Sequence, residues 1–559
     1  MWRKYFPASR WLPLYTLKLF ASDTIAGITL AAYAIPVSLA YAMLAGLPPQ
    51  YGVYGYLLGG LFYAMLGTGR QLAIGPTAAI SLLIGTTIAG LAHGNVQRWA
   101  DIASLTALVF AVMSILAYIM RLSSIINFIS ETVLLGFKAG AAIAIGLTQL
   151  PKLFGLQGGG GNFLEQTKML ISQLPGTNYS VLLFGILAIV ALIFGEKLIP
   201  GRPVAIIVVI VSIILISATS LSDIGFKTVG IIPSGLPQFH IPSMQIREVY
   251  NVIPLAFACF LLAYIENVSA AKTLAQKNGY EIDPRQELLA LGIANIATAI
   301  GQSYPVSGGL SQSAVNDNAG AKTSMSLVVA SAIIALCLLF LTGMLKNLPT
   351  VILASIVLVS ISGLVNLKEF NHLRQTNLKD FYISLIALVG VLVFGILDGV
   401  IIATVITLLL MIKAVSKPHV AFLGRIPGTK RYTDVSRHPD NENIPGVLLF
   451  RVESTILYFN VENIRNVIWS RILSSDASLK IVIWDLSSSS HIDLAGARLI
   501  RRLYQDLAAK GISFKIAEAY SSVRDTLRAE GLEHLFGHIS RMDSVSELID
   551  EYLKQHESK

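Results

Sequence analysis

The sequence predicts an α-helical polytopic membrane protein, with fourteen spans in a seven-plus-seven inverted repeat, followed by a small α/β domain. Three observations predict this class. First, 54% of the 559 residues are hydrophobic and 13% are charged, which is roughly half the charged fraction of an average soluble chain. Second, apolar segments follow one another to residue 414, and third, the composition becomes that of a soluble domain after residue 417. Intrinsic disorder and nucleic-acid binding are excluded, because they require low hydrophobicity or a dense basic face.

Residues 1–22 are predicted to be a cytoplasmic lead-in to the first span. They include Arg3, Lys4, Arg10 and Lys18 but lack an apolar core ending at a cleavage site, so they are not a signal peptide. We expect them to lie at the membrane interface. The transmembrane domain is predicted to follow over residues 23–416.

The spans are assigned as apolar segments of about 20 residues. Two of them, 75–91 and 309–320, are short, and each is entered through a sequence rich in glycine and proline. Each is also the third span of its half, and an odd number of spans per half inverts the second half relative to the first. Short, interrupted spans at matching positions point to a transporter binding site. The predicted segments are 24–43, 51–67, 75–91, 102–120, 124–148, 180–195, 203–219, 251–270, 286–301, 309–320, 325–344, 350–365, 380–396 and 398–414.

The charges of the loops predict the orientation in a cell membrane. An even number of spans places both termini on one side. Threading the short loops puts about eleven basic residues on the side of the termini and about six on the other, which fits the positive-inside rule. The N-terminus and the C-terminal domain are therefore predicted to be cytoplasmic.

The C-terminal segment is predicted to be a linker, 417–443, and a soluble domain, 444–559. Strands that alternate with helices indicate a small α/β domain with one sheet. Strands are predicted at 446–452, 456–460, 480–485 and 513–518, and helices at 461–474, 494–510, 521–530 and 545–555.

The two short spans predict an anion-binding cradle. A helix N-terminus has partial positive charge and unpaired N–H donors, so two that face each other bind an anion without a cationic side chain. Gly75, Gly308 and Gly309 leave the backbone accessible, and Thr77 and Ser311 add hydroxyl groups. The alternative is that these small residues only permit close helix packing.

Several motifs spread over nearly the whole chain resemble the SulP family of anion transporters, the sulfate permeases. The C-terminal α/β segment resembles the STAS domain of that family. The motifs in the first half are 23–27 (DTIAG), 34–36 (AIP), 40–42 (AYA), 45–49 (AGLPP) and 51–54 (YGVY), and those in the second half are Glu266, 274–283 (LAQKNGYEID), 286–288 (QEL), 311–316 (SQSAVN) and 319–323 (AGAKT).

The resemblance implies a core domain of spans 1–4 and 8–11, a gate domain of spans 5–7 and 12–14, and a homodimer. Many family members have an arginine near the anion where this chain has Gln312, so the cradle works on dipoles alone or receives a cation from elsewhere. Lys138, inside span 5, is the candidate cation, and the alternative is that it extends to the membrane interface. The residues predicted to bind the anion are Ala73, Ile74, Thr77, Gly309, Leu310, Ser311, Gln312 and Lys138.

Glu266 is the clearest buried acid, because a carboxylate in the middle of a span is costly and by default marks a functional site. Its alternative role is a satisfied ion pair or hydrogen bond. We expect it to bind the coupling ion, a proton in preference to sodium, because we identify no second acid beside it. The predicted substrate is a small inorganic or carboxylate anion, with sulfate first and bicarbonate or a dicarboxylate next.

The sequence predicts no catalytic residues, no metal site and no cofactor, because it contains no HExxH motif, no clustered ligands and no nucleophile elbow. An enzyme is therefore the least favoured class. Sodium-coupled bicarbonate uptake, an anion channel or an exchanger would use the same fold.

Overall fold

The computed structural model describes residues 6–92, 96–123, 131–158, 162–198, 203–219, 225–475, 479–537, 539–540 and 543–557. The chain divides into two compact units, Met1–Thr407 and Leu408–Lys559. Each of the fourteen predicted spans coincides with a helical segment; residues 124–130 of the fifth lie outside the described residues. In chain order, spans 1–14 are Leu17–Leu44, Pro49–Leu66, Ala78–Ala92, Val96–Ile119, Glu131–Leu153, Tyr179–Leu198, Val204–Ala218, Ile246–Asn278, Pro284–Ile300, Leu310–Asn318, Met325–Leu345, Thr350–Ser362, Leu378–Phe394 and Ile396–Ser416.

Not every span is long enough to cross a membrane alone. Among the described residues, six helices meet the requirement by length and composition, or seven if the bent pair Phe163–Gly176 and Tyr179–Gly195 is counted as one. Span 10 has only 9 residues. Short spans of this kind belong to folds in which interrupted helices meet inside the membrane.

Two amphipathic helices were not predicted from the sequence. Helix Phe163–Gln173 precedes span 6, and helix Leu367–Thr376 precedes span 13. Each begins at an asparagine cap: Asn162 Oδ1 accepts from Glu165 N at 2.9 Å, and Asn366 Oδ1 accepts from Glu369 N at 3.1 Å. Both helices lack buried residues, so the search for apolar segments passes over them.

The spans of the first unit pack as two groups. Span 9 packs against spans 2 and 4, and span 11 against spans 1 and 2, which forms the core group. Span 5 packs against spans 12 and 13, and span 6 against span 12, which forms the gate group. Span 1 also contacts span 12, so it lies on the seam between the groups.

Two short strands pair the halves of the first unit. Strand β1 is Ile74–Gly75, directly before span 3, and strand β2 is Ser307–Gly308, directly before span 10. They pair antiparallel, with Ile74 opposite Gly308. The predicted breaks before the two short spans therefore meet each other in the fold.

The second unit contains a five-stranded sheet. Its strands are Val420–Arg425 (β3), Tyr432–Asp434 (β4), Val447–Val452 (β5), Ile481–Asp485 (β6) and Ser513–Ala517 (β7), in the order β4-β3-β5-β6-β7. β5, β6 and β7 are parallel, and β3 is antiparallel to β4 and β5. Helices Val461–Leu473 and Leu494–Ala508 connect the parallel strands, and Ser521–Ala529, Glu533–Phe536 and Val545–Glu557 follow β7.

Two elements of the second unit differ from the sequence prediction. Residues 417–443, predicted as a linker, contain β3 and β4. The predicted strand at 456–460 is wrong: only Ile456 forms a bridge, with Ile492, and the next residues form a turn in which Asn460 Oδ1 accepts from Leu457 N at 2.9 Å. A side-chain hydrogen bond of this kind competes with strand formation.

We predict that a chain truncated after Ser416 stays monodisperse in mild detergent, because its spans satisfy their own backbone groups. A chain truncated after residue 431 retains β3 without β5, its antiparallel partner, and therefore exposes Ala421 and Leu423, which are buried in the intact chain. We expect the chain that ends at residue 431 to aggregate more than the chain that ends at Ser416. Size-exclusion chromatography compares the two truncated chains, and complete aggregation of the chain that ends at Ser416 would contradict the prediction.

Candidate functional site

The strand pair β1–β2 holds the N-termini of spans 3 and 10 side by side. Two glycines permit the close approach: a Cβ on Gly75 would lie 2.2 Å from the Tyr56 ring, and one on Gly308 would lie 2.5 Å from Asn267 Oδ1. Pro76 follows β1 and has no N–H to leave unpaired. The first turns of both helices then begin with free backbone N–H groups.

Three side chains of span 10 connect it to the segment that leads into span 3. Gln312 Nε2 donates to the Pro76 carbonyl at 2.8 Å, and Asn316 Nδ2 donates to the Gln71 carbonyl at 3.0 Å. The Ala73 N–H donates to Ser313 Oγ at 2.9 Å. Spans 3 and 10 therefore form one rigid pair, and the Gln312 amide contributes to its structure.

A cavity of about 510 Å³ lies in front of the paired N-termini, between the core and gate groups. Spans 1, 3, 8 and 10 line its core side, and spans 5 and 12 with helix Leu367–Thr376 line its gate side. Residues at the start of both half-helices line it: Ala78 and Ala79 of span 3 and Leu310 of span 10. Anions are stabilised at such N-termini by N–H donors and by the helix dipole.

Most of the predicted site residues meet at this cavity. Seven line it: Thr77, Lys138, Glu266, Gly309, Leu310, Ser311 and Gln312. Ala73 and Ile74 do not. Both are fully buried, and their backbones form the ladder behind the half-helices, through the bond to Ser313 and the pairing with Gly308.

The charged groups of the cavity are few. Among the described lining residues, Lys138 is the only basic side chain, and the acids are Glu131, Glu266 and Glu369. Glu131 and Glu369 are exposed at the mouth. Lys138 and Glu266 line the same cavity as residues at the start of both half-helices.

Three buried oxygen atoms in the cavity wall have no hydrogen-bond partner within the part of the chain that the structure describes: Thr77 Oγ1, Glu266 Oε2 and Gln312 Oε1. Buried polar atoms are usually paired. These three are therefore available to a ligand, an ion or a proton.

The sequence prediction missed several lining residues. Tyr33 and Tyr41 of span 1 face the cavity, and Ser360 of span 12 lies on its gate side. The two tyrosines are eight residues apart, a spacing that places side chains on one helix face. This spacing was the signal in the sequence that could have identified the two tyrosines. It was not sufficient, because an apolar span does not indicate which of its faces lines a cavity.

A buried carboxylate fixes span 8 next to the site. Glu287 is fully buried and accepts from Asn267 Nδ2 at 2.7 Å, Tyr63 OH at 2.8 Å, and Thr68 N and Oγ1 at 2.8 and 2.6 Å. Gly69 N–H donates to it at 3.3 Å. Asn267 follows Glu266 directly, so this cluster sets the rotation of span 8 that directs Glu266 into the cavity.

Interrupted helices that meet in front of a cavity between two helical groups define a membrane transporter of the inverted-repeat class. The chain belongs to the sulfate permease family, whose model matches residues 20–387, and a STAS domain model matches residues 438–546. These matches confirm the resemblance noted in the sequence. The family consists of anion transporters and not of enzymes.

Comparison with individual proteins supports the same family and the same fold. The chain is 32% identical over 551 residues to "Sulfate transporter 4.1, chloroplastic" of Arabidopsis thaliana, covering 95% of this chain and 80% of the relative. The solved structure of SLC26A9 superposes with a TM-score of 0.90 at 22% identity, covering 99% of this chain and 94% of that one. The transmembrane domain of the cyanobacterial bicarbonate transporter BicA gives a TM-score of 0.61 at 18% identity, covering 71% of this chain and 98% of that one. These matches confirm the predicted fourteen-span inverted repeat with a C-terminal STAS domain.

We predict that Glu287→Gln destabilises the protein on the order of 3 kcal/mol, because the new amide N–H₂ faces groups that are themselves donors. Glu281→Gln is the matched control, since Glu281 is exposed six residues earlier, and should change stability by less than about 0.5 kcal/mol. The apparent Tm of both variants in detergent measures the difference. Equal melting temperatures would show that the Glu287 charge is not required.

Proposed function

We propose that this protein is a secondary active transporter of a small anion, with sulfate as the first candidate and bicarbonate or a dicarboxylate next. One observation carries the proposal: two half-helix N-termini and Lys138 converge on one cavity between the core and gate groups. Helix dipoles and N–H donors select for charge and size more than for chemical identity. The name of the Arabidopsis relative favours sulfate, and that of BicA makes bicarbonate the alternative.

Transport proceeds by movement of the core against the gate. The cavity opens beside Glu131, at the start of span 5, and beside Glu369, after the end of span 12. The predicted topology places these helix ends in the cytoplasm, together with the N-terminus and the STAS domain. The conformation is then inward-facing. We propose that the protein lies in a cell membrane as a homodimer, which the family resemblance implies.

Coupling to a proton is supported by the position of Glu266. Its carboxylate lines the same cavity as the half-helix N-termini, and two bare negative charges close together at low dielectric repel by several kcal/mol. A proton on Glu266 removes that repulsion. Anion and proton then enter together, which is proton–anion symport.

Sodium coupling is the second candidate, and one observation favours it. The unpaired oxygens of Thr77, Glu266 and Gln312 are of the chemical type that hard cations prefer. Sodium bound to the Glu266 carboxylate would neutralise it as a proton does. A channel or exchanger would use the same cavity but would not accumulate the anion against its gradient.

The deciding experiment uses the purified full-length chain in proteoliposomes. Uptake of labelled sulfate, bicarbonate, succinate and chloride is measured with and without imposed proton and sodium gradients. We expect saturable sulfate accumulation that depends on an acidic exterior. Accumulation driven only by sodium would support the second candidate, and equilibration without accumulation would support a channel or exchanger.

We predict that Gln312→Glu abolishes anion binding, because a carboxylate cannot donate to the Pro76 carbonyl and adds a like charge to the cavity. Gln312→Arg should preserve binding or tighten it, since it retains donors and adds a positive charge. Equilibrium binding of labelled sulfate to detergent-solubilised protein compares the variants. Unchanged binding by Gln312→Glu would place the anion elsewhere.

We predict that Glu266→Gln still exchanges anion but no longer accumulates it in response to a pH gradient, because the amide permanently resembles the protonated acid. Glu369→Gln is the matched control: it removes an acid from the mouth of the same cavity and should retain pH-driven accumulation. Labelled-anion counterflow and gradient-driven uptake separate the two activities. Normal pH-driven accumulation by Glu266→Gln would exclude this carboxylate as the proton carrier.

A further inference from the structure

A second cavity, of about 220 Å³, is lined by two lysines, Lys152 and Lys227. Lys152 lies in the last turn of span 5, and Lys227 belongs to the segment before span 8. The start of span 12, Val181 of span 6, Met43 of span 1 and the turn after span 5 complete the lining. None of the described lining residues is acidic.

The second cavity lies farther along the same seam as the central cavity. Lys152 follows Lys138 by fourteen residues on span 5, which is about 21 Å along a helix. Val351 precedes Ser360 by nine residues on span 12, about 14 Å in the corresponding direction. Spans 1, 5 and 12 therefore line both cavities, one toward each face of the transmembrane unit.

The walls of the second cavity are fixed by backbone hydrogen bonds. The Lys227 carbonyl accepts from Thr350 N at 2.9 Å and from Thr350 Oγ1 at 3.2 Å. Val229 N donates to the Leu348 carbonyl at 2.9 Å, and the Phe226 ring packs edge-on against Phe184 at 5.4 Å. The segment with Lys227 is thus held against the N-terminus of span 12.

The electrostatics of this cavity favour an anion. In the described part of the chain, no ion pair involves Lys152 or Lys227. Lys152 is partly buried, and a charge removed from water without a partner is costly. The N-terminus of span 12, a helix of 13 residues, adds partial positive charge beside the two lysines.

We propose that Lys152 and Lys227 form an anion-capture site for a small inorganic or carboxylate anion at the end of the core–gate seam opposite the central cavity. This inference rests on the proposed function, because it supposes that the captured anion continues to the central cavity. The site concentrates the anion on that face before the seam opens. On the predicted topology that face is external.

Two measurements test the site. The first is reductive methylation of the detergent-solubilised full chain, with labelling of each lysine followed by mass spectrometry in sulfate, bicarbonate or succinate and, at equal ionic strength, in the bulky anion MES. We expect sulfate to slow the labelling of Lys152 and Lys227 and to leave Lys346 unchanged. Lys346 is exposed, precedes span 12 on the same face and lies outside the lining.

The second measurement is labelled-sulfate uptake by proteoliposomes as a function of the external concentration. Lys152→Gln and Lys227→Gln should raise the external KM about fivefold to tenfold with little change in maximal rate, a loss of about one favourable charge interaction each. Lys346→Gln is the matched control and should leave KM unchanged.

The outcomes separate this site from the proposed function. Failure of every anion to slow labelling of Lys152, or an equal rise of KM in Lys346→Gln, would overturn the capture site. If the unaltered chain transports none of the tested anions, the proposed function fails, while protection from labelling still decides whether the lysines bind an anion.

Discussion

The structure depends on one constraint: a helix interrupted inside a bilayer must satisfy its free backbone groups within the protein. The chain meets it by pairing the two interruptions with each other. β1 and β2 form the ladder, and Ser313, Asn316 and Gln312 bond the backbone of the segment that precedes span 3. The first turns of both half-helices keep N–H groups without an intrahelical partner, and residues of both turns line the central cavity. One of the residues that satisfy the two interruptions, Gln312, also borders the proposed anion site.

The rotation of span 8 about its own axis determines whether the Glu266 carboxylate faces the central cavity. Consecutive helical residues point about 100° apart, so when Asn267 is held by Glu287, Glu266 faces the cavity. Glu287 in turn accepts from the loop at Thr68 and Gly69, just before β1. Glu287 thus links the segment that precedes span 3 with span 8, the helix that carries Glu266. The two acids differ in their surroundings: five donor atoms face the Glu287 carboxylate, whereas Glu266 Oε2 has no partner among the described residues.

The gate group contributes cations where the core contributes dipoles. Lys138 and Lys152 lie on one helix, span 5, about 21 Å apart, and each lines a cavity on the seam between the groups. Span 12 accompanies span 5 along this seam, and its N-terminus lies at the second cavity. Span 5 therefore supplies one lysine to each of the two cavities on this seam.

The sequence by itself determined the fourteen spans, the two interruptions, the α/β character of the second unit, and seven of the nine named site residues as members of one cavity. It did so because apolar length, glycine and proline breaks, and a lone carboxylate in a span are local features. It missed the two amphipathic helices, the strands at 420–425 and 432–434, and the turn at 457–460, where polar side chains and nonlocal pairing decide the structure. Only the tertiary structure placed Ala73 and Ile74 behind the site and committed the Gln312 amide to Pro76. It also joined Glu287 to Asn267 and brought Lys152 and Lys227 into the lining of one cavity, because each of these arrangements joins residues from different segments, whose approach is fixed by packing and not by local pattern.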